Sequence, residues 1–155
     1  MVTCSKKVET GQQYPEHVGD ISADSSIDDP AFKPCFEGAS YQYYNFGNGV
    51  QYEGEKPKID DQYVNVQSTD STDYGYVTIR FVVNCQRKTG RFRIQQMDTA
   101  YQEKKFNEAL IADLLTRTKK LDGWLIAKNE RGEAVDYYQY LTFKIERGKL
   151  TEIMP

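Results

Sequence analysis

Apolar and polar residues alternate most clearly from Tyr76 onward. Between Tyr76 and Val83 the apolar residues fall on one face of an extended chain and mostly polar ones on the other, which is typical of a half-buried strand. A polar turn ends at Gly90, and Arg91 to Met97 alternates again with Phe92 and Ile94 on the inward face. The two runs predict an antiparallel hairpin. Its second face carries Arg80, Arg91 and Arg93 and either stays in water or meets the N-terminal half.

The period then changes to that of a helix. From Lys104 to Leu121 the apolar residues form one stripe, acids cluster near the start and bases near the end, and Gly123 follows, as expected for an amphipathic helix. Alternation returns over 133–145, which predicts a long strand, and 149–154 is a candidate returning strand. We therefore predict an α+β fold in which one main helix covers one face of a small antiparallel sheet in the order strand, strand, helix, strand.

The N-terminal half follows a different pattern. Residues 1–30 are polar and acidic with almost no aliphatic pattern, which predicts a flexible tether. Residues 31–73 combine tyrosine and phenylalanine with glycine, which indicates short strands and tight turns packed on the domain, with a turn at Asn48-Gly49. We interpret this aromatic cluster as a small core, with a sugar-stacking surface as the alternative. Residues 74–155 then form the main domain.

Charge divides the chain at about the same place. Residues 1–75 hold five basic and thirteen acidic side chains, a net charge of −8, whereas residues 76–155 hold fifteen and ten, a net charge of +5. The acidic half can fold over the basic half, or the basic face can be kept for a partner. The basic residues do not form runs interleaved with aromatics, so we predict no nucleic-acid partner. No stretch reaches the length of a membrane helix.

The three cysteines leave one over after any pairing. The segment Val2-Thr3-Cys4-Ser5 is similar to the residues around the acylated cysteine of a bacterial lipoprotein, so Cys4 is a candidate lipid anchor. Cys35 and Cys85 are then a candidate disulfide in an oxidising compartment; the alternative is a pair of buried thiols in a cytosolic protein. No metal-binding spacing is present. The single histidine, His17, has no positioned nucleophile nearby, so we predict no catalysis, no metal and no cofactor.

Several segments resemble, in order, the C-terminal domain of the energy-transducing TonB proteins. They are Gly75-Tyr76-Val77-Thr78-Ile79-Arg80-Phe81-Val82-Val83-Asn84, Phe106-Asn107-Glu108-Ala109-Leu110, Leu121-Asp122-Gly123-Trp124-Leu125-Ile126-Ala127, Gly132-Glu133-Ala134-Val135 and Tyr140-Leu141-Thr142-Phe143-Lys144-Ile145. The resemblance covers about half of the chain. The chain departs from the family in three respects: it has five prolines and no inner-membrane helix, Tyr14-Pro15 lies far upstream of the first strand, and Arg87 stands in a turn where the family favours glycine.

The resemblance implies a non-catalytic periplasmic module that binds a protein segment, such as part of a TonB-dependent outer-membrane receptor, by β-strand addition. The positions that match the family's binding edge are Val135, Tyr137, Gln139, Leu141, Phe143 and Ile145. That edge can also be covered by 149–154, by the tyrosine-rich half or by a second copy in a homodimer. A membrane contact is expected only through Cys4, at the outer membrane. The alternative function is an envelope lipoprotein that binds carbohydrate or cell wall through its tyrosine-rich surface.

Overall fold

The computed structural model describes residues 20–37, 41–42 and 49–155. Within these ranges the chain forms two α-helices, a five-stranded sheet and a two-stranded ribbon. Predictions that concern Cys4, His17 and the turn at Asn48 lie outside the described residues. The elements are β1 (Tyr41–Gln42), α1 (Glu55–Asp60) with a 3-10 turn (Asp61–Tyr63), β2 (Gly75–Val83), β3 (Thr89–Met97), α2 (Glu108–Lys120), β4 (Ala127–Lys128), β5 (Ala134–Val135), β6 (Tyr137–Glu146) and β7 (Lys149–Met154).

Strand β2 lies at the centre of the sheet. It pairs antiparallel with β3 on one side, with Thr78 opposite Gln95, and with β6 on the other, with Thr78 opposite Thr142. Beyond β6 the sheet continues with β7 in antiparallel pairing and with the short β1 in parallel pairing. The predicted α+β class is confirmed, although β1 makes the sheet mixed instead of purely antiparallel.

Helix α2 covers the first face of the sheet. Its buried residues Leu110, Leu114 and Thr118 join a core that contains the alternate side chains of β2 and β6. The helix begins at Glu108 instead of near Lys104, because the side chain of Asn107 accepts hydrogen bonds from the backbone N–H groups of Ala109 and Leu110. Such a cap satisfies donors that have no partner within the helix, and it fixes where the helix starts.

The segment from Val50 to Val66 belongs to this same core. The ring of Tyr52 meets Trp124 edge-on at 4.8 Å between centroids, and that of Tyr63 packs against Phe143 at 4.9 Å. Ile59 of α1 is fully buried beside them. Tyr52 and Tyr63 therefore lie in the main core instead of in a separate small core, whereas Tyr41 is exposed.

The second face of the sheet is covered at one end by residues 20–37, which we call the N-terminal strap. Ile21 and Phe32 of the strap pack on Val82 of β2 and Tyr138 of β6. Arg93 of β3 is only 7% exposed and forms two hydrogen bonds with the carboxylate of Asp28, at 2.7 and 2.9 Å. The predicted tether of residues 1–30 therefore differs from the structure over 20–30, where the Asp28–Arg93 ion pair and the buried Ile21 hold the chain on the sheet.

The predicted strand over 133–145 is interrupted. Asp136 separates β5, which pairs with β4, from β6. Its carboxylate is fully buried and accepts hydrogen bonds from the backbone N–H groups of Phe36 and Cys85, at 3.0 and 2.8 Å. The break therefore places a buried acceptor between the strap and the turn that joins β2 to β3.

Candidate protein-binding edge

The six residues predicted as a binding edge do not lie on an open edge. All six side chains are buried, and β2 pairs along the whole inner side of β6. On the outer side β7 pairs with Thr142 to Glu146 and β1 pairs with Tyr137 and Tyr138; Val135 belongs to β5. Strand addition requires unpaired backbone groups, so a partner pairing along the length of β6 would have to displace β7 and β1. The predicted positions are Val135, Tyr137, Gln139, Leu141, Phe143 and Ile145.

The outer edge of β7 is short. Its first residues are already paired, because Leu150 donates to the carbonyl of Val66 and Lys149 forms a bridge with Gln67. Exposed Thr151 and Glu152 lie beyond that point. A short edge with charged residues is one that proteins commonly use to discourage pairing with other chains.

The outer edge of β3 is unpaired near its middle. The carbonyl of Gln96 points outward and accepts a hydrogen bond from Lys104. Because backbone groups alternate in direction along an antiparallel strand, the N–H and C=O of Ile94 point outward as well. Within the described part of the chain, the outward backbone groups of Ile94 have no hydrogen-bond partner. An edge of this kind can accept one further strand.

A groove of about 530 Å³ runs along this edge, and we call it the β3 groove. Its floor is β3 from Thr89 to Ile94. One wall is formed by Ile27, Asp28 and Asp29 of the strap, and the other by Leu115 and Lys119 of α2. The edge of β3 therefore lies between two walls that belong to opposite faces of the sheet.

The wall formed by α2 is largely apolar. The ring of Phe92 stacks on Phe81 at 5.1 Å between centroids, and the ammonium group of Lys119 lies 5.4 Å from the same Phe92 ring. Leu115 and Ile94 are partly buried against the main core. Because apolar side chains remain accessible here, this side of the groove favours aliphatic groups.

The strap wall is polar and firmly held. Arg93 also donates to the carbonyl of Ser22 at 2.8 Å, in addition to its paired bonds with Asp28. The hydrogen bonds from Arg93 lower the pKa of Asp28, so the pair stays ionised at neutral pH. Asp29 accepts a hydrogen bond from the N–H of Ala31 and forms no ion pair among the described residues. The strap therefore presents one uncompensated carboxylate to the groove.

A β-bulge shapes the floor of the groove. The pairing of β2 with β3 shifts between Arg80 and Val82, and Arg91 on the opposite strand has a φ of 55°. This left-handed conformation is uncommon for a residue with a Cβ. Arg91 is held there by hydrogen bonds to Glu37 and to the carbonyl of Ile21. The bulge therefore turns the side chain of Arg91 toward the strap.

The strap is also fixed covalently. Cys35 and Cys85 form a disulfide that links residues 50 positions apart, with a Cα–Cα distance of 6.0 Å. Asn84, next to Cys85, donates from its side chain to the carbonyl of Lys33 at 2.8 Å. These contacts join the end of the strap to the turn between β2 and β3.

The polar clusters that could suggest a metal or catalytic centre make structural contacts instead. Cys35, Cys85 and Asp136 bring potential ligand atoms within 4.8 Å of one another, but both sulfurs are in the disulfide and Asp136 accepts two backbone N–H groups. The acidic neighbours Asp28-Asp29 and Asp60-Asp61 are not paired carboxylates either, because Asp28 binds Arg93 and Asp60 binds Lys56.

Sequence reasoning missed the β3 groove. Its two walls come from segments far apart in the chain, and the sequence predicts a tether where the strap wall lies. Gly90 was the available signal, since a glycine within a strand often marks a close approach of another segment. A Cβ at this position would lie 2.2 Å from the ring of Phe32.

Two further observations concern the chain as a whole. Among the described residues, none of the helices combines the length and apolar character needed to cross a bilayer. Comparison with protein-family models, with curated proteins and with solved structures found no match to this chain.

Proposed function

We propose that this chain is a non-catalytic protein-binding module that captures an extended segment of another protein by β-strand addition. The observation that carries the proposal is the unpaired outer edge of β3 at Ile94, which lies in the β3 groove. In this mode main-chain hydrogen bonds supply affinity, and pockets for alternate side chains supply selectivity. The binding edge is then β3 and not β6.

The proposal places the chain in the bacterial periplasm, as a module of the TonB C-terminal type. The order β2, β3, α2, β6, with β6 beside β2, is consistent with the strand, strand, helix, strand pattern on which the resemblance rests. The disulfide between Cys35 and Cys85 supports an oxidising compartment. A lipid anchor at Cys4 and a segment of a TonB-dependent outer-membrane receptor as the partner belong to the same proposal.

The alternative of sugar binding through the tyrosine-rich half has less support. Tyr52 and Tyr63 are buried in the main core, so their rings are not available to stack on a ligand. Tyr41 is exposed, but it is held in the sheet by the pairing of β1 with β6. We therefore favour a protein partner.

The experiment is a titration of isotope-labelled, oxidised protein with peptides from the N-terminal segments of outer-membrane receptors, followed by NMR. Strand addition predicts shift changes over Gly90 to Gln95 and slower hydrogen exchange at the amide of Ile94. Only alternate residues of an added strand turn their N–H groups toward the edge. N-methylation of one alternate set in the peptide should therefore abolish binding, while methylation of the other set leaves it unchanged. Equal binding of both methylated peptides, or no slowing of exchange at any sheet edge, would exclude strand addition.

A further inference from the structure

The geometry points to a specific class of partner for the β3 groove: a single extended segment with aliphatic side chains at alternate positions and basic side chains between them. This inference rests on the proposed function and adds which side chains of a partner the two walls of the β3 groove would favour. A strand in the groove would place alternate side chains against α2 and against the strap. The two walls differ in chemistry, so the segment must differ between its two sets of positions.

The walls on both sides of the β3 edge bear on whether its partner is a single segment or a second copy of the chain. Ile27 to Asp29 rise on one face of the sheet, and Leu115 and Lys119 rise on the other. A second copy pairing through its own β3 would bring its own strap and α2 against these walls. Two strap walls and two α2 walls would then have to share the spacing of about 4.8 Å that sheet pairing requires. An isolated segment brings no such walls, which favours a single segment as the occupant.

The side of the groove toward α2 selects the aliphatic positions. Phe92, Ile94 and Leu115 are partly buried here and present apolar surface. Lys119 lies over the ring of Phe92 and adds a positive charge to this wall. Because that charge repels a basic side chain and the rings favour apolar ones, valine or isoleucine fits this set of positions.

The side toward the strap selects the basic positions. Asp28 is neutralised by Arg93, but Asp29 is not paired with a cation among the described residues. Ile27 beside them is 61% exposed and can cover the aliphatic stem of a lysine. A lysine between the aliphatic residues would therefore lay its stem on Ile27 and its ammonium group near Asp29.

The test uses a labelled peptide of nine residues, the length of β3, in which valine alternates with lysine. Its controls are a peptide in which valine alternates with glutamate and one of the same valine and lysine composition arranged in two blocks. We expect fluorescence anisotropy to show the valine-lysine peptide binding tightest and the block peptide at least about tenfold weaker, because only alternation serves both walls. Equal affinity of the alternating glutamate peptide would overturn the assignment of a basic segment.

Variants of the strap locate the contact. Ile27→Ser should weaken the valine-lysine peptide by about threefold to tenfold through lost apolar contact, and Asp29→Asn by about threefold through lost charge. Val64→Ser is the matched control, because Val64 is 59% exposed and lies outside the groove. No effect of Ile27→Ser, or an equal effect of Val64→Ser, would overturn the inferred strap contact.

Hydrogen exchange on the same samples separates the two proposals. Slower exchange at Ile94 supports both. Slower exchange confined to Thr151 to Met154 of β7 would keep strand addition and overturn the groove as its site. If no alternating peptide slows exchange at either edge, the inferred partner class is wrong, and the receptor-peptide titration then decides whether strand addition is wrong as well.

Discussion

The disulfide between Cys35 and Cys85 gives the sharpest prediction for stability. It closes a loop between residues 50 positions apart, and it joins the strap to the turn between β2 and β3. Closing a loop of this length removes conformational entropy from the unfolded chain that corresponds to about 4 kcal/mol at 25 °C. Replacing both cysteines by alanine should therefore lower the free energy of unfolding by about that amount.

The native contacts around the bridge survive this substitution. Asp136 accepts its hydrogen bonds from the backbone N–H groups of Phe36 and Cys85, and Asn84 binds the carbonyl of Lys33, so none of these bonds uses a sulfur atom. The double variant should therefore keep the native fold with a melting temperature about 12 °C lower. The loss of stability is then due mainly to the unfolded state.

The measurement is urea denaturation at neutral pH, with Cys4→Ser in both proteins to prevent mispairing. Trp124 is the only tryptophan and is fully buried, so its fluorescence reports the loss of the core. Thiol titration of the unfolded parent protein checks that the bridge is formed. A loss of less than about 1 kcal/mol despite an intact bridge in the parent would refute the loop-closure reasoning.

Three further variants test the contacts that shape the groove. Asp28→Asn should lower the free energy of unfolding by about 3 kcal/mol at neutral pH, because it leaves Arg93 buried without its partner. Since the pKa of Asp28 is lowered in the folded protein, the difference in stability between the variant and the parent should shrink as the pH falls below about 4. A pH-independent difference would count against the ion pair. Asn107→Ala should lower stability by about 1 kcal/mol through the lost cap of α2, whereas Asn107→Asp should retain it in thermal denaturation. Gly90→Ala should lower the free energy of unfolding by about 1 to 3 kcal/mol and speed hydrogen exchange in the strap, because a Cβ would overlap the ring of Phe32. Unchanged exchange in the strap would disprove that contact.

The strands of the sheet could be predicted from sequence because apolar and polar residues alternate along them. Val77, Ile79, Phe81 and Val83 are all fully buried, as the pattern of β2 required. The helix stripe likewise identified Leu110 and Leu114. Where a segment buries one regular face, the period of its apolar residues is set by the backbone alone and needs no knowledge of distant contacts.

The strap could not be predicted in this way. Its apolar residues follow no helical or strand period, and it is held by a buried ion pair, a disulfide and the close approach of Phe32 to Gly90. Each of these depends on a partner more than 45 positions away in the chain. The alternation of β3 placed Arg93 on the polar face correctly, but it could not show that Asp28 would cover it.

The same reasoning explains why the proposed binding edge is β3 and not the predicted β6. The resemblance predicted the binding edge at 135–145, but the sequence alone does not show which strand lies at the edge of the sheet. The polar turn at Arg147-Gly148 lets β7 fold back on β6, with Arg147 and Gly148 both in left-handed conformations. That pairing covers the outer side of β6 from Thr142 to Glu146 and leaves the outer edge of β3 for the proposed partner. The edge available to a partner is therefore set by a two-residue turn near the C-terminus as much as by the strands themselves.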